Sequence, residues 1–439
     1  MNSDRINKEY INMVKGNESR YIEDSKKTME RVKKSDAKYR GKPTPTLYHP
    51  MFLTGEDLEN LKYIGGKMMD ISNKLTDRFV EDKEFRKKFG FPDFIERMIE
   101  VDNGYGVNIP IARFDLFYKD RDNFKFCEIN TDGSSAMNED NTLSRIILDS
   151  LALKDFGEGK DISYFELFHS WVEESIKLYK KTPGAREKPN VAIVDFKESG
   201  TSMEFIEFQK AYRQAGYNCE IVDPRDVEFK NGSIYEGDYR IDLVYRRIVS
   251  YELIEKKDEI GDFIDGYMNK AFVTIGSIKS QVVHNKIFFK ILHDKDTLDY
   301  LSEEERKFVE EHIPYTGVFG GDEGVFRKVV EGKDKYIMKP MDLNASQGVF
   351  VGRDFSQEEW EAKLDEVFGE NYIYQEYFDP FQREFLLKED DGFKVESFMT
   401  TTGLYMYNEK VEGFYSRIGQ DTIISGMVDY FTIPNLLVE

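Results

Sequence analysis

The sequence contains few cysteines, no long apolar run and no hydrophobic leader. Its two cysteines, Cys127 and Cys219, are too few for a disulfide framework or a cysteine-rich metal site, which favours two reduced structural thiols. No apolar run reaches the length of a membrane span, and the polar start of the chain lacks the apolar core of a secretion signal. We therefore expect a cytoplasmic protein with no membrane partner.

Several short catalytic signatures are also missing. The chain contains no GxxxxGK[ST], HExxH, GxSxG or GxGxxG motif. Their absence argues against P-loop nucleotide hydrolysis, zincin proteolysis, α/β-hydrolase chemistry and standard dinucleotide binding.

The composition indicates a folded, strongly acidic protein. In 439 residues, 83 acidic and 62 basic side chains give a formal net charge of −21, which repels nucleic-acid backbones, so we expect no nucleic-acid partner. The 34 Phe and 26 Tyr are far more aromatic residues than a disordered chain carries. At roughly 150 residues per domain, the length predicts about three domains or two large ones.

The pattern along the chain predicts an α/β (α+β) fold. A β-α-β pattern begins at Val191, continues through a helix over 203–215 and a strand at Cys219, and predicts a third strand at Ile241–Tyr245. The resulting division is a helical N-terminal region at 1–100, an acidic hairpin with helices at 101–185, a small α/β domain at 186–275 and a final region at 276–439.

Apolar spacing also predicts individual helices. Residues 1–40 are interpreted as surface helices or as an arm over another domain. Thr54 and Asp57 begin a predicted helix over 54–79, and further predicted helices cover 141–153, 164–181 and 281–293.

The densest chemistry lies on two predicted strands, Ile109–Tyr118 and Phe124–Asn130. A four-residue loop at 120–123 sets a register with Asp115 opposite Glu128 and Arg113 opposite Asn130. Alternation of side chains places these four groups on one face, together with Phe117 and Phe126.

This face has two interpretations. Two carboxylates and an amide oxygen suit Mg²⁺, which takes one or two carboxylates and completes its shell with water and phosphate, and Arg113 could hold a phosphoryl or carboxylate oxygen. The loop at 131–135 adds hydroxyls and a glycine. The alternative is a solvated hairpin on which Arg113 only neutralises Asp115 and Glu128. The segment alone does not separate a metal site from a ladder of ion pairs.

Four later segments also have more than one interpretation. Lys339 ends a predicted strand before a polar loop, which suits phosphate binding or an ordinary hairpin. Gln375 and Glu376 could contact the edge of a base or form one polar face of an edge strand, and Arg417 is equally open. Helical periodicity places Lys286 on the solvent side with Lys290 and His293, and it places His284 in the apolar stripe as a core histidine.

Together these segments resemble the circularly permuted ATP-grasp family, in its glutathionylspermidine synthase-like branch. The match lies in the order of four segments: Arg113-Phe114-Asp115 with Glu128-Ile129-Asn130, then Asn285-Lys286, then Lys339-Pro340 with its loop to Gly348, and Tyr374-Gln375-Glu376 followed by Arg417. In the permuted branch the acidic hairpin precedes the lysines. The resemblance covers about residues 100–439 and implies a circularly permuted ATP-grasp fold with a small pre-ATP-grasp domain.

The resemblance implies a role for each matched residue. Asp115, Glu128 and Asn130 would ligate Mg²⁺ on ATP, and Arg113 would stabilise the transferring phosphoryl group. The remaining implied contacts to the nucleotide are Lys286, Lys339 and Arg417 to phosphate, a lid at 341–348 that contains Ser346, Gln347 and Gly348, and an adenine pocket lined by Gln375 and Glu376.

The implied activity is ATP-dependent joining of a small-molecule or peptide carboxylate to an amine through an acyl phosphate. The sequence departs from the branch in three respects: there is no counterpart of the amidase domain of some relatives, the 341–348 loop has a single glycine, and Gln375-Glu376-Tyr377 differs from the bifunctional enzymes. The carboxylate, the amine and any oligomeric state stay open. Two alternatives are a non-catalytic nucleotide-binding protein on this fold and a small-molecule phosphotransferase.

Overall fold

The structure is a computed structural model that describes residues 2–39, 41–199, 202–343, 346–424 and 430–439. The α-helices, in chain order, are α1 (Ser3–Gly16), α2 (Glu18–Lys34), α3 (Gly55–Glu81), α4 (Lys83–Arg86), α5 (Asp93–Ile99), α6 (Met137–Leu148), α7 (Leu151–Phe156), α8 (Phe168–Lys181), α9 (Ser202–Gln214), α10 (Ser250–Glu255), α11 (Gly261–Met268), α12 (Gln281–His284), α13 (Ile287–Leu292), α14 (Lys295–Tyr300), α15 (Glu303–His312), α16 (Glu323–Glu331) and α17 (Gln357–Val367). Short 3₁₀ helices lie at Lys87–Phe89, Pro224–Asp226, Lys257–Glu259, Ile278–Ser280, Lys333–Lys335 and Gly352–Asp354.

The strands complete a mixed α/β architecture, as predicted. They are β1 (Lys38–Tyr39), β2 (Lys42–Pro43), β3 (Met51–Thr54), β4 (Ile111–Tyr118), β5 (Phe124–Asn130), β6 (Ile162–Tyr164), β7 (Asn190–Val194), β8 (Asn218–Val222), β9 (Glu228–Lys230), β10 (Ser233–Glu236), β11 (Tyr239–Ile241), β12 (Leu243–Arg246), β13 (Val273–Ile275), β14 (Thr316–Val318), β15 (Tyr336–Pro340), β16 (Phe350–Val351), β17 (Tyr372–Glu376), β18 (Gln382–Lys388), β19 (Phe393–Tyr407), β20 (Lys410–Gly419), β21 (Tyr430–Ile433) and β22 (Asn435–Val438).

A large antiparallel sheet joins the hairpin to the end of the chain. Its strand order is β21-β20-β19-β4-β5, and β18 also pairs with β19. Helix α3 packs closely on this sheet: a Cβ at Gly65 would lie 3.0 Å from Val411 Cγ2 and 3.1 Å from Met406 Sδ. The helix begins at Thr54 and Asp57, as predicted, and these two residues form a capping box. The hairpin at 111–130 is therefore fixed in the core through strand β19.

A second antiparallel sheet, β14-β17-β15-β16, carries Lys339 and Gln375 on adjacent strands. Helices α16 and α17 cover it, and Trp360 and Leu364 of α17 are fully buried with Val329 of α16. The site residues on this sheet are thereby held on rigid strands.

The predicted β-α-β unit is a parallel sheet with the order β13-β12-β7-β8. The third predicted strand, Ile241–Tyr245, was placed two residues too early because Ile241 ends β11. Strands β9, β10 and β11 form a separate antiparallel sheet that was not predicted. Its strands are only three or four residues long, which is too short for an alternation of apolar and polar residues to predict them.

The N-terminal helices form an arm on the body, the second of the two predicted arrangements. Ile6, Tyr10 and Val14 of α1 are fully buried, and Tyr10 Oη donates a hydrogen bond of 2.9 Å to the carbonyl of Tyr48. Strand β3 then pairs in parallel with β22, which ties the start of the chain to its end.

Three helix predictions were wrong, two at an internal break and one at the start of the helix. The helix over 141–153 divides into α6 and α7, where Ser150 caps the second helix. The helix over 164–181 begins only at Phe168, because Tyr164 ends strand β6. The helix over 281–293 divides into α12 and α13, and the break exposes the backbone at Asn285 and Lys286 to long-range contacts.

Candidate active site

Hairpin β4–β5 has the predicted register where its charged residues lie. Asp115 pairs with Glu128, and Arg113 pairs with Asn130. A β-bulge then makes Cys127 an extra residue, so Phe126 pairs with Leu116 instead of Phe117. The prediction that Phe126 shares the charged face was therefore wrong, since Phe126 is fully buried and packs against Phe114.

Asp115 is the centre of a buried charge cluster. Its carboxylate accepts hydrogen bonds from Arg113 Nε at 2.7 Å and Nη2 at 3.0 Å, and from Arg417 Nη2 at 3.1 Å. Asn130 Nδ2 donates a fourth bond at 3.3 Å, and Asp115 is only 1% exposed. Desolvation acts to lower the pKa of Arg113, but the neighbouring Asp115 carboxylate outweighs it and raises that pKa well above its usual value.

Gly403 on β19 makes room for this cluster. It pairs with Asp115 across the sheet, and a Cβ there would lie 2.7 Å from Asp115 Oδ1 and 2.8 Å from Arg113 Cδ. No side chain other than hydrogen fits at this position without displacing the ion pair.

Glu128 forms an ion pair with Lys286, at 3.1 Å between Oε1 and Nζ. Burial acts to raise the pKa of Glu128, but the charges of Lys286 and Lys339 outweigh it and lower the pKa to about 2. The Glu128 side chain is therefore an anion at neutral pH, held between two lysines encoded much later in the chain.

Lys286 is not on the solvent side of a helix, so the prediction from periodicity was wrong. The helix ends at His284, and Asn285 turns the chain with its Oδ1 accepting from the amide of Ile287. Lys286 donates through its backbone amide to Met341 and through Nζ to the carbonyl of Leu343, both at 2.9 Å, and is 6% exposed. His284 is buried as predicted, but its Nδ1 has no hydrogen-bond partner among the described residues.

Lys339 is held by Gln375 on the adjacent strand. Its Nζ donates to Gln375 Oε1 at 2.8 Å and to the carbonyl of the bulge residue Cys127 at 3.0 Å. Gln375 Nε2 in turn donates to Thr316 Oγ1 at 2.9 Å. The amide of Gln375 is thus engaged in positioning Lys339, and the backbone amide of Glu376 is bound to the carbonyl of Tyr315 in the sheet.

These residues line two cavities that meet. The first, named here the lysine cavity, is lined among others by Glu128, Lys286, Ser346, Lys339, Gln375, Glu376 and Arg417. The second, of about 570 Å³ and named here the polar cavity, is lined among others by Arg113, Glu128, Asn130, Glu139, Ser346, Gln347 and Arg417. Glu128, Ser346 and Arg417 belong to both walls and mark the boundary.

The predicted lid at 341–348 is described only in part, because residues 344 and 345 lie outside the described residues. Gly348 has φ +69°, and a Cβ there would lie 2.6 Å from Tyr372 Oη and 2.9 Å from Pro340 Cγ, so this turn requires glycine. Gly348 is exposed and is absent from the lining of both cavities, unlike Ser346.

The donor set is compatible with Mg²⁺ bound together with a phosphate. In the described ranges, no group of three or more His, Cys, Asp or Glu side chains is placed to hold a metal. Glu128 and Asn130 line the polar cavity, Asp115 Oδ2 lies 3.3 Å from Asn130 Nδ2, and the Asn130 amide oxygen receives no hydrogen bond from any residue in the described ranges. Mg²⁺ uses one or two protein carboxylates and takes its other ligands from water and phosphate, so these residues fit the ion.

Two buried ion pairs below the site were not predicted from the sequence. Asp132 forms an ion pair with Arg246 at 2.6 Å, and Glu204 accepts a hydrogen bond from Arg247 at 2.8 Å. These contacts fix the 131–135 loop against the end of β12. The only sequence signal was the pair of consecutive arginines, Arg246 and Arg247, directly after the predicted strand Ile241–Tyr245. Sequence patterns of this kind are usually interpreted as solvated side chains.

In the part of the chain that the structure describes, no helix combines the length and the apolar character needed to cross a membrane. Comparison with curated proteins found no match.

Comparison with solved structures shows the fold. A glutathione synthetase-like effector from Globodera pallida, solved in its apo form, aligns with 94% of this chain and 96% of its own at a TM-score of 0.57 and 11% identity. D-alanyl-alanine synthetase A from Vibrio cholerae matches 49% of this chain and 68% of its own, with 14% identity and a TM-score of 0.31.

The family comparison extends over most of the chain. The profile described as glutathionylspermidine synthase preATP-grasp matches residues 46–433. Those residues include the hairpin, both lysines and all the residues at which the two cavities meet. The chain belongs to the glutathionylspermidine synthase preATP-grasp family, which has a circularly permuted ATP-grasp fold.

Proposed function

We propose that this protein is a Mg-ATP-dependent carboxylate–amine ligase that forms an amide bond through an acyl phosphate. The observation that carries the proposal is the meeting of the two cavities at Glu128, Ser346 and Arg417. One cavity presents two buried lysines, and the other presents Arg113, which binds the same Asp115 carboxylate as Arg417 of the boundary. A phosphoryl group could pass from a nucleotide in the first to a carboxylate in the second without leaving the protein.

The lysine cavity is proposed to bind ATP. Lys286 and Lys339 are 6% and 7% exposed, so their charges act in a medium that screens them weakly. Compact ammonium groups suit the phosphates, and Phe117 and Phe378, with ring centroids 5.8 Å apart and nearly parallel, form an aromatic wall for the base. Glu376 and the strand of Gln375 would line the base pocket, with Gln375 acting through Lys339.

Mg²⁺, held by Glu128, Asp115 and Asn130 together with the phosphates, would supply neutralisation of the phosphate charge. Arg113 and Arg417 are proposed to stabilise the transferring phosphoryl group, because Arg417 lies at the boundary of the cavities and Arg113, in the wall of the polar cavity, binds the same Asp115 carboxylate. Phosphoryl transfer depends on positioning and charge stabilisation more than on a protein nucleophile.

The reaction would proceed in two steps. A carboxylate oxygen of the substrate bonds to the γ-phosphorus, and the bond from phosphorus to the β-phosphate oxygen breaks to release ADP. The amine nitrogen, as the free base, then bonds to the acyl carbon and gives up one proton, and inorganic phosphate leaves with the electrons of the C–O bond and takes up that proton. The segment 341–348 is proposed to shield the acyl phosphate from water. The α/β region at 186–275 contributes Met203 and Glu204 to the polar cavity, which supports a role in binding the acceptor.

The test is to incubate the protein with Mg-ATP and panels of carboxylates and primary amines, following ADP and phosphate release and product mass. The ligase predicts ADP and phosphate in equal amounts and a product with the mass of the amide. A stable phosphorylated product without free phosphate would indicate a phosphotransferase. Binding of ATP with no turnover on any pair would indicate a non-catalytic nucleotide-binding protein.

A further inference from the structure

The polar cavity contains an acidic side chain that has no ion-pair partner among the described residues. The three other carboxylates in the wall are occupied: Glu128 is paired with Lys286, Asp132 with Arg246, and Glu204 is bound by Arg247 and by the amide of Met137 at 2.8 Å. Glu139, on the first turn of α6, is only 5% exposed and lines the same cavity. Within the described ranges, its carboxylate forms no ion pair and accepts no hydrogen bond from another residue, and the groups that favour its charged form are its own amide and the Arg113 guanidinium.

The environment of Glu139 disfavours an isolated negative charge. Burial, followed by the nearby Glu204 carboxylate, raises the pKa of Glu139 to about 8. The other charged or titratable groups that act on it are Asp140 on its own helix, Arg113 on β4, Tyr415 on β20 and Tyr430 on β21. A buried carboxyl in this condition gains most from a ligand that brings a positive charge and N–H donors.

Glu139 lies in the cavity in which the amine would attack the acyl phosphate. Arg113 and Arg417 line the same cavity, and both guanidinium groups lie over the ring of Tyr415, at 5.2 and 5.7 Å from its centroid. Tyr415 also lies in the electrostatic field of Glu139. The cavity thus has two basic groups where the acyl phosphate would form and, in the same enclosure, an acidic group that pairs with no residue the structure describes.

We propose that Glu139 binds the ammonium group of the amine substrate in the polar cavity. The inference rests on the proposed ligase function and adds the residue that selects a cationic acceptor. The isosteric variant Glu139→Gln removes the charge and retains the shape. Asp140→Asn is the matched control, because Asp140 is the next residue on α6, is fully buried with its pKa also raised to about 8 by burial, and is bound to Asn435 outside the cavity.

The experiment compares two nucleophiles at pH 7.5 with the carboxylate that supports turnover. For the cationic amine, the KM of Glu139→Gln is expected to rise at least tenfold, while the KM values for ATP and the carboxylate stay within twofold. Hydroxylamine, which is uncharged at this pH and also attacks acyl phosphates, is expected to react at the same rate in both proteins. Asp140→Asn is expected to match the wild type for both nucleophiles. An unchanged KM for the cationic amine, or an equal loss with both nucleophiles, would overturn the proposal.

If the wild type turns over no carboxylate and amine pair, that result counts against the ligase function itself. A binding measurement then tests the assignment of Glu139. The same primary amines are titrated calorimetrically into protein saturated with Mg²⁺ and a non-hydrolysable ATP analogue. Binding to the wild type that is at least tenfold tighter than to Glu139→Gln supports the assignment of Glu139. Equal binding, or no binding of any amine to the wild type, rejects it.

Discussion

The ammonium group of Lys286 lies 3.1 Å from the carboxylate of Glu128, and its backbone amide is bound to the carbonyl of Met341. One residue thereby joins the hairpin at 111–130, the break between α12 and α13, and the loop that follows β15. If this junction holds the phosphates of ATP, removing the Lys286 charge should affect nucleotide binding more than removal of a nearby surface charge.

We expect Lys286→Met and Lys339→Met each to weaken the binding of Mg²⁺ with a non-hydrolysable ATP analogue at least tenfold in calorimetric titrations. A hydrogen bond to a charged group contributes about 1.5–3 kcal/mol, which corresponds to roughly that factor or more. Lys290→Met is the matched control, because Lys290 lies on α13 and pairs with Asp294 at 2.9 Å. Equal affinity of Lys286→Met and Lys290→Met would contradict the assignment of the lysine cavity.

Arg113→Lys is expected to lower kcat about 100-fold or more and to leave the affinity for the ATP analogue within threefold. Lysine retains the charge that partners Asp115 but loses the fork that makes two hydrogen bonds to it, and removal of one transition-state donor costs about 10²–10³ in rate. The measurement is steady-state ADP release together with the thermal midpoint. An unchanged kcat would remove Arg113 from the chemistry.

Gly403→Ala tests the geometry of the same pair without altering its charges. The added Cβ would lie 2.7 Å from Asp115 Oδ1, so we expect the ion pair to shift and kcat to fall at least tenfold. Gly66→Ala on α3 serves as the control, since a Cβ there meets no atom within 4 Å. Wild-type turnover by Gly403→Ala would show that the position of Arg113 and Asp115 is not critical.

The buried carboxyl of Asp140 predicts a specific dependence of stability on pH. Burial raises its pKa to about 8 in the folded protein, against about 3.9 in an unfolded chain. The folded state therefore binds more protons between these values, and its contribution to the free energy of unfolding falls as pH rises, by up to about 1.4 kcal/mol per pH unit. Asp140→Asn, which imitates the protonated form, should show a smaller fall between pH 5 and 8 in urea unfolding. Parallel curves for the two proteins would contradict the prediction.

The sequence predicted the parts of the fold and site that depend on local pattern. The register of Asp115 and Glu128 followed from the length of the hairpin loop, and α3 followed from apolar spacing and from Thr54 and Asp57 at its start. The proximity of the hairpin to the lysines came from the family resemblance and not from periodicity.

The remainder depends on contacts between distant segments. Periodicity placed Lys286 in solvent, because a helical pattern carries no information about the hydrogen bond to Met341 that accompanies the break. The bulge at Cys127 changed the partner of Phe126, and no local residue signalled it. The sequence does not distinguish Glu139 from other acidic helix residues. Its lack of an ion-pair partner among the described residues depends on the distant segments that surround the cavity.

The most direct test of the account follows oxygen from the carboxylate substrate. The carboxylate that supports ADP release is labelled with ¹⁸O in its carboxyl group, and the released phosphate is analysed by mass spectrometry. Formation of an acyl phosphate at the boundary of the two cavities predicts one ¹⁸O atom in each phosphate released with the amide. Phosphate without the label, formed alongside ADP, would contradict the proposed reaction.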